Sequence, residues 1–204
     1  MLYVISGPSG CGKSTLIRRL LNEMKPALRF SVSHTTRPRR SMELHGKDYY
    51  FVSEEEFQNM IRENAFLEWA VVHGLHYGTS RKEIESKLDQ GDLLLDIDIQ
   101  GARQIRAVHP QAVFVFVVPS HPKELRRRLE LRGSNTPESI RERLAAARKE
   151  VEAFEEFDYI VVNDFLERAV QEIRSIIVSG KCRRGSRLEE MSSILSHYRL
   201  EADS

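Results

Sequence analysis

Cysteine is scarce in this sequence. Two residues, Cys11 and Cys182, make no disulfide framework, and a reducing, cytoplasmic setting fits best. Long apolar runs are missing too. The longest, AVFVFVV at 112–118, is far too short to span a bilayer, so no membrane association is expected. The opening MLYVISGPSG has no basic leader and too short an apolar run for a signal peptide. Neither charge sign dominates: 31 Lys and Arg face 30 Asp and Glu, for a net +1. That balance removes any global drive toward nucleic acid, so a basic site has to be local. Of seven histidines only His73 and His76 lie close, with no third ligand spaced to join them in a metal site. No repeat, low-complexity tract or Pro/Gly linker divides the chain.

What is present suits one globular domain: 204 residues, 41% hydrophobic and 30% charged. LYVIS (2–6) predicts a buried strand, KSTLIRRLLNEM (13–24) an amphipathic helix stopped by Pro26, and RFSVSH (29–34) a second strand. DYYFV (48–52) predicts a strand, and Ser53 the N-cap of a helix through EEEFQNMI. AFLEWAVVHG (65–74) predicts a strand, 80–90 a helix starting at Ser80, and GDLLLDIDIQG (91–101) a buried strand followed by a helix. AVFVFVV then leads to an arginine-rich helical region from Pro122 to about Phe154. DYIVVND (158–164) predicts a strand, 165–179 a helix, and Leu188 to Tyr198 a weakly patterned one. Apolar strands alternating with helices predict an α/β fold, a parallel sheet covered by helices on both faces. Segment 35–80 breaks the alternation and reads as an inserted lobe.

GPSGCGKST (7–15) matches G-x-x-x-x-G-K-[ST] in full, between a strand and a helix. Gly7, Pro8, Ser9, Gly10, Cys11, Gly12, Lys13, Ser14 and Thr15 are therefore candidates for ATP. The glycines let backbone N–H groups turn toward phosphates, and the helix N-terminus adds partial positive charge. Lys13 is placed to reach the β- and γ-phosphates, and the Ser14 hydroxyl to ligate Mg²⁺. Cys11, near a helix N-terminus, is either a lowered-pKa thiol or simply a small residue that fits. Such a loop wants an acid on a nearby strand to hold Mg²⁺. Asp96 and Asp98, two apart in LLLDID, are read as sharing one side of a strand, and spacing does not choose between them.

A second anion site is suggested by TTRPRR (35–40), with three arginines in four positions. Guanidinium groups suit phosphate oxygens. Pro38 stiffens the backbone, and alternate side chains share a face, so the three cannot all meet one ligand. KDYYF and HYGTS nearby add tyrosines and hydroxyls.

At this point the sequence resembles the guanylate kinases, P-loop nucleoside monophosphate kinases. FSVSHTTRPRRSMELHGKDYYFV, FLEWAVVHGLHYGTS, LLLDIDIQGA and FDYIVVND carry the resemblance, in order, over essentially the whole chain. It implies a single domain over 1–204, with core 1–33, 81–122 and 155–204, a GMP-binding lobe at 34–80 and a lid at about 123–154. It implies that Arg37, Arg40, Tyr49 and Tyr77 hold the GMP phosphate while Arg39 points away. Ser33, Glu68 and Thr79 would face guanine, Asp98 the nucleoside and Asp96 the Mg²⁺. Arg128, Arg132 and Arg143 would be lid arginines touching the phosphates, with Lys13 and Arg37 completing the catalytic set. Asn163 would lie beside adenine. On its residues alone Glu68 reads as a strand-surface charge; the resemblance reverses that. One departure is RPRRSME at 37–43, where the family has Pro-Arg-Pro-Gly-Glu, although the arginine spacing and Glu43 survive.

The implied reaction is transfer of the γ-phosphoryl group of MgATP to GMP, with dGMP as a second acceptor, in purine metabolism. The acceptor is already an oxyanion and needs no general base. Expected partners are these small molecules, not nucleic acid, and a homo-oligomer is compatible with the sequence. Three rival functions make different demands on the sequence. A sugar-phosphate kinase would not need Ser33 and Glu68. A phosphopeptide-binding scaffold would tolerate a degraded loop and bring extra domains. A nucleic-acid-dependent ATPase wants a broad basic face.

Overall fold

The computed structural model describes residues 1–131 and 136–202. Five strands form a parallel sheet: β1 (Leu2–Ser6), β2 (Leu28–Phe30), β7 (Asp92–Asp96), β8 (Val113–Val118) and β9 (Tyr159–Val162), in the order β2-β7-β1-β8-β9. β1, β7 and β8 are near-continuous apolar runs because both their faces are covered. Alternation within β1 divides the core. Tyr3 and Ile5 pack toward Leu16 and Leu20 of α1 (Lys13–Met24) and Ile173 of α7 (Leu166–Lys181). Val4 packs on the other side with Ile84 of α3 (Arg81–Leu88) and Ile105 of α4 (Ile99–Val108).

Residues 34–80 build a second, four-stranded sheet in the order β4-β3-β6-β5, from β3 (His34–Thr35), β4 (Tyr50–Phe51), β5 (Phe66–Val72) and β6 (Leu75–Ser80). Its helix α2 (Glu54–Arg62) starts in a reciprocal capping box between Ser53 and Glu56. Phe57 and Phe66 stack beneath the sheet with ring centroids 4.4 Å apart. Further along, α5 (Pro122–Leu131) and α6 (Pro137–Glu152) pack together through Leu125, Leu129, Ile140 and Ala147. A short 3₁₀ turn, Ala153–Glu156, returns the chain to β9. The chain continues after α7 through a second 3₁₀ turn, Arg184–Arg187, into α8 (Leu188–Ala202). No helix among the described residues is long and apolar enough to cross a membrane.

The structure departs from the sequence reading in four places. RFSVSH is two strands in two sheets. Ser31 N–H donates to Leu94 O of the core sheet, while Ser33 O accepts from Tyr50 N–H in the lobe. An alternating run fits either sheet equally, and only the pairing partner reveals the switch. DYYFV shortens to Tyr50–Phe51. The strand read over 65–74 is the first half of an antiparallel hairpin, and β6 is an element the reading left out. His73 and Gly74 make its two-residue turn, both with positive φ (51° and 76°), the geometry that matches strand twist. Finally, the run 91–101 leaves the strand after Asp96. The Asp98 side chain accepts from Gly101 N–H at 2.9 Å and N-caps α4, so Asp96 and Asp98 do not share a strand face.

Candidate active site

The phosphate loop joins β1 to α1. Gly12 precedes the helix with φ 97°, and a Cβ there would lie 2.5 Å from Asn163 Nδ2. The helix start has no side-chain cap and no acid in its first turn, so its N-terminal amides keep their partial positive charge. Lys13 Nζ donates to Gly7 O at 2.6 Å. Burial opposes its charge, but the Cys11 sulfur and the Asp96, Glu150 and Asp98 carboxylates outweigh that and raise its pKa. Burial likewise raises the Asp96 carboxyl, with Lys13 pulling it back. Cys11 is fully buried and burial pushes its thiol up, so it serves as a small residue that fits.

Gly7, Ser9, Gly10, Gly12, Lys13 and Ser14 line a cleft of about 270 Å³. Pro8, Cys11 and Thr15 do not; Pro8 O accepts from Cys11 N–H and shapes the loop. The cleft continues past Asp96 and Asp98 to the lobe.

There the arginine run has an organiser. Glu43 Oε1 accepts from Arg37 Nη2 at 2.8 Å and lies 3.8 Å from Arg40 Nη1, while Glu43 Oε2 accepts from the Arg40 amide at 2.9 Å. Burial would raise the Glu43 carboxyl, but these bonds outweigh it and hold it below the usual carboxylate range. Arg37 also rests over the Tyr49 ring, 5.4 Å from its centroid. Tyr49 and Tyr77 meet edge to face at 6.0 Å, and burial raises the Tyr49 hydroxyl. Arg37, Arg40, Tyr49 and Tyr77 line the cleft; Arg39 is exposed and does not.

Between the two ends sits Glu68, 3% exposed. Strand alternation puts it on the buried face with Phe66 and Ala70, and a register shift lies between Phe66 and Glu68. Burial raises its pKa to about 7, with the Thr79 hydroxyl lowering it and Asp98 adding to the rise. Thr79 donates to Glu68 Oε1 at 2.5 Å and lies 3.2 Å from Ser33 Oγ. Ser33 and Glu68 line the cleft, whereas Thr79 stands behind them, fully buried, and orients both.

Across the loop, α6 carries Arg143 and Glu150, seven residues apart and so on one helix face. Arg143 Nη1 donates to Ser9 Oγ at 3.4 Å, and Glu150 Oε2 accepts from Ser9 N–H at 3.3 Å. Glu150 lines the cleft and was missed in the sequence; its two-turn spacing from Arg143 was the available signal. Arg128 and Asn163 both bond the backbone of the phosphate loop. Arg128 donates to Cys11 O and Asn163 O, both at 2.7 Å, and pairs with Glu124. Asn163 Nδ2 donates to Cys11 O at 2.8 Å. Neither lines the cleft: with their donors committed to backbone carbonyls, they brace the phosphate loop from behind. Arg132 lies outside the described residues.

A phosphate loop on a parallel sheet, facing a lobe with its own anion site across one cleft, is the architecture of a P-loop nucleoside monophosphate kinase. The family described as guanylate kinase matches residues 1–180. A guanylate kinase of Geobacter sulfurreducens is 48% identical over 197 residues, covering 96% of this chain and 97% of that one. A crystal structure of guanylate kinase from Anaplasma phagocytophilum superposes with TM-score 0.75 at 34% identity, covering 90% of this chain and 87% of the other. A shikimate kinase structure from Bacteroides thetaiotaomicron, 15% identical with TM-score 0.50 over 87% and 98%, shares the fold alone. The chain belongs to the guanylate kinase family.

Proposed function

We propose that this cleft transfers the γ-phosphoryl group of MgATP directly, in line, to GMP or dGMP, giving ADP and GDP or dGDP. The observation that carries this reading is the single cleft joining the phosphate loop to the Arg37–Arg40–Tyr49–Tyr77 site, with Glu68 buried between them. Guanine presents N1–H and a 2-amino group side by side, and an ionised Glu68 accepts both. Adenine lacks that donor pair and would leave the buried carboxylate unpaired, a penalty of about 1–3 kcal/mol. Thr79 directs its proton to Glu68, so without ligand the Ser33 hydroxyl donates to Thr79 Oγ1, and it turns from Thr79 to donate to guanine O6. Arg37 and Arg40 hold the acceptor phosphate, and Arg143 joins Lys13 in stabilising charge on the phosphoryl group in flight.

The residues fit a magnesium ion. Ser14 and Asp96 offer one hydroxyl and one carboxylate, and no cluster of three His, Cys, Asp or Glu occurs among the described residues. That sparse set suits an ion completed by substrate phosphates and water. When bound, Mg²⁺ supplies charge neutralisation between the β- and γ-phosphates. The core (1–33, 81–122, 155–204), lobe (34–80) and lid (about 123–154) act as three bodies whose closure excludes water.

The test is ADP formation from MgATP with GMP, dGMP, AMP, CMP, UMP or no acceptor. Selective turnover with GMP and dGMP is expected. Turnover without nucleotide preference would leave the phosphate-loop reading intact and remove the guanine site.

A further inference from the structure

β5 is the last strand of the lobe sheet, so one of its edges has no neighbouring strand. A core helix covers it. Gln104 Nε2 donates to Trp69 O at 2.7 Å, and Trp69 N–H donates to Gln104 Oε1 at 3.2 Å. One carboxamide therefore takes both main-chain groups of the residue next to Glu68. One turn earlier on α4, Gln100 Nε2 donates to Asp98 Oδ2 at 3.1 Å and lies 3.5 Å from Val71 O.

The same helix walls the base site. Gly101, three residues before Gln104, is where the Glu68 carboxylate comes closest: a Cβ there would sit 2.4 Å from Glu68 Oε2. Glu68 and Trp69 are consecutive on β5, and Gly101 and Gln104 are one turn apart on α4. The spacing between the buried carboxylate and its helical wall is thus set one residue along, by a two-point hydrogen bond between lobe and core. A glutamine placed only to cover an edge would have no reason to grip the strand at the residue beside buried Glu68.

We propose that Gln104 is a positioning residue for acceptor-base recognition: it holds β5 at the distance from α4 at which Glu68 meets guanine. This rests on the reading of Glu68 as the guanine acceptor. Gln104→Met keeps length and helix propensity while removing both hydrogen bonds. Trp69, the one tryptophan in the chain, neighbours Glu68, and its fluorescence is followed as GMP is titrated, with calorimetry as the second readout of Kd. The expected result is a rise of about tenfold in both the Kd and the KM for GMP, with the KM for ATP unchanged and the preference for GMP over AMP reduced. Gln104→Asn, one methylene too short to reach, is the second variant should the first fold poorly. An unchanged KM for GMP, a lowered melting temperature alone, or a parallel rise in both KM values would overturn the inference. Glu68→Gln is measured alongside. If it leaves GMP use untouched, the base reading fails; if it weakens GMP while Gln104→Met does not, only the clamp fails.

Discussion

Burial raises the Glu68 carboxyl to about 7, and two pH effects follow with opposite signs. Without ligand, the folded chain binds a proton that the unfolded chain, with a value near 4.5, releases. The stability this contributes is present below about 4.5 and is lost as pH rises through about 7. If Glu68 accepts from guanine as proposed, the ionised form is the binding one, and GMP affinity should rise over the upper part of that window. Melting curves across pH, compared with Glu68→Gln, should show the variant's stability falling less between pH 5 and 8. Lys13 is a simpler case. Lys13→Ala should lower kcat by at least about 10²–10³ while far-UV spectra stay unchanged, since its proposed role is to stabilise the phosphoryl group and its hydrogen bond is to Gly7 O of the same loop. Arg128 separates bracing from chemistry. Arg128→Ala should lower stability by about 2–4 kcal/mol through its lost bonds to Cys11 O and Asn163 O, as read by denaturant unfolding. Loss of turnover at full stability would instead make Arg128 a catalytic contact.

Among the elements, α4 and β5 show how a helix and a strand share one task. α4 begins at Asp98, opens a gap at Gly101 and grips β5 at Gln104. Gly101→Ala would favour the helix by about 0.5–1 kcal/mol, yet its methyl would displace the Glu68 carboxylate. The expected outcome is a protein at least as stable in a thermal melt with a KM for GMP raised several-fold. An unaltered KM would show that Glu68 has room to move. Elements also set the limit of legibility. The strands LYVIS and AVFVFVV and the helix 13–24 could be read because a buried parallel strand is an uninterrupted apolar run and an amphipathic helix repeats at 3.6 residues. The hairpin 66–80 was half read, because His73-Gly74 lacks the Asn-Gly or Asp-Gly signature of such turns. Asp98 reads as a strand residue because it follows an apolar run, and only the fold shows that it caps α4.

At the scale of the whole molecule, the cleft is lined by residues that are far apart in sequence. Ser9 of the phosphate loop meets Arg143 and Glu150 across 134 and 141 residues. These contacts tie α6 to the loop, and in the proposed mechanism they hold the lid closed. Removing both, in Arg143→Ala/Glu150→Ala, should loosen closure and lower kcat for GMP while raising the ratio of ATP hydrolysis to transfer. Measuring ADP and GDP in the same reaction reads that ratio; a constant ratio would mean that water exclusion does not depend on these contacts.

By itself the sequence determined the phosphate loop and the parallel core, each written in neighbouring residues as spacing or as apolar period. The acceptor motifs followed from the family resemblance. Tertiary structure alone decided which of those residues face one another. It placed Arg128 and Asn163 behind the loop and Thr79 behind Glu68. It made Glu43 the organiser of two arginines and Gln104 the clamp on β5. The reason is physical: a side chain's role depends on the groups that use up its donors and acceptors, and long-range packing, not local spacing, brings those groups into reach.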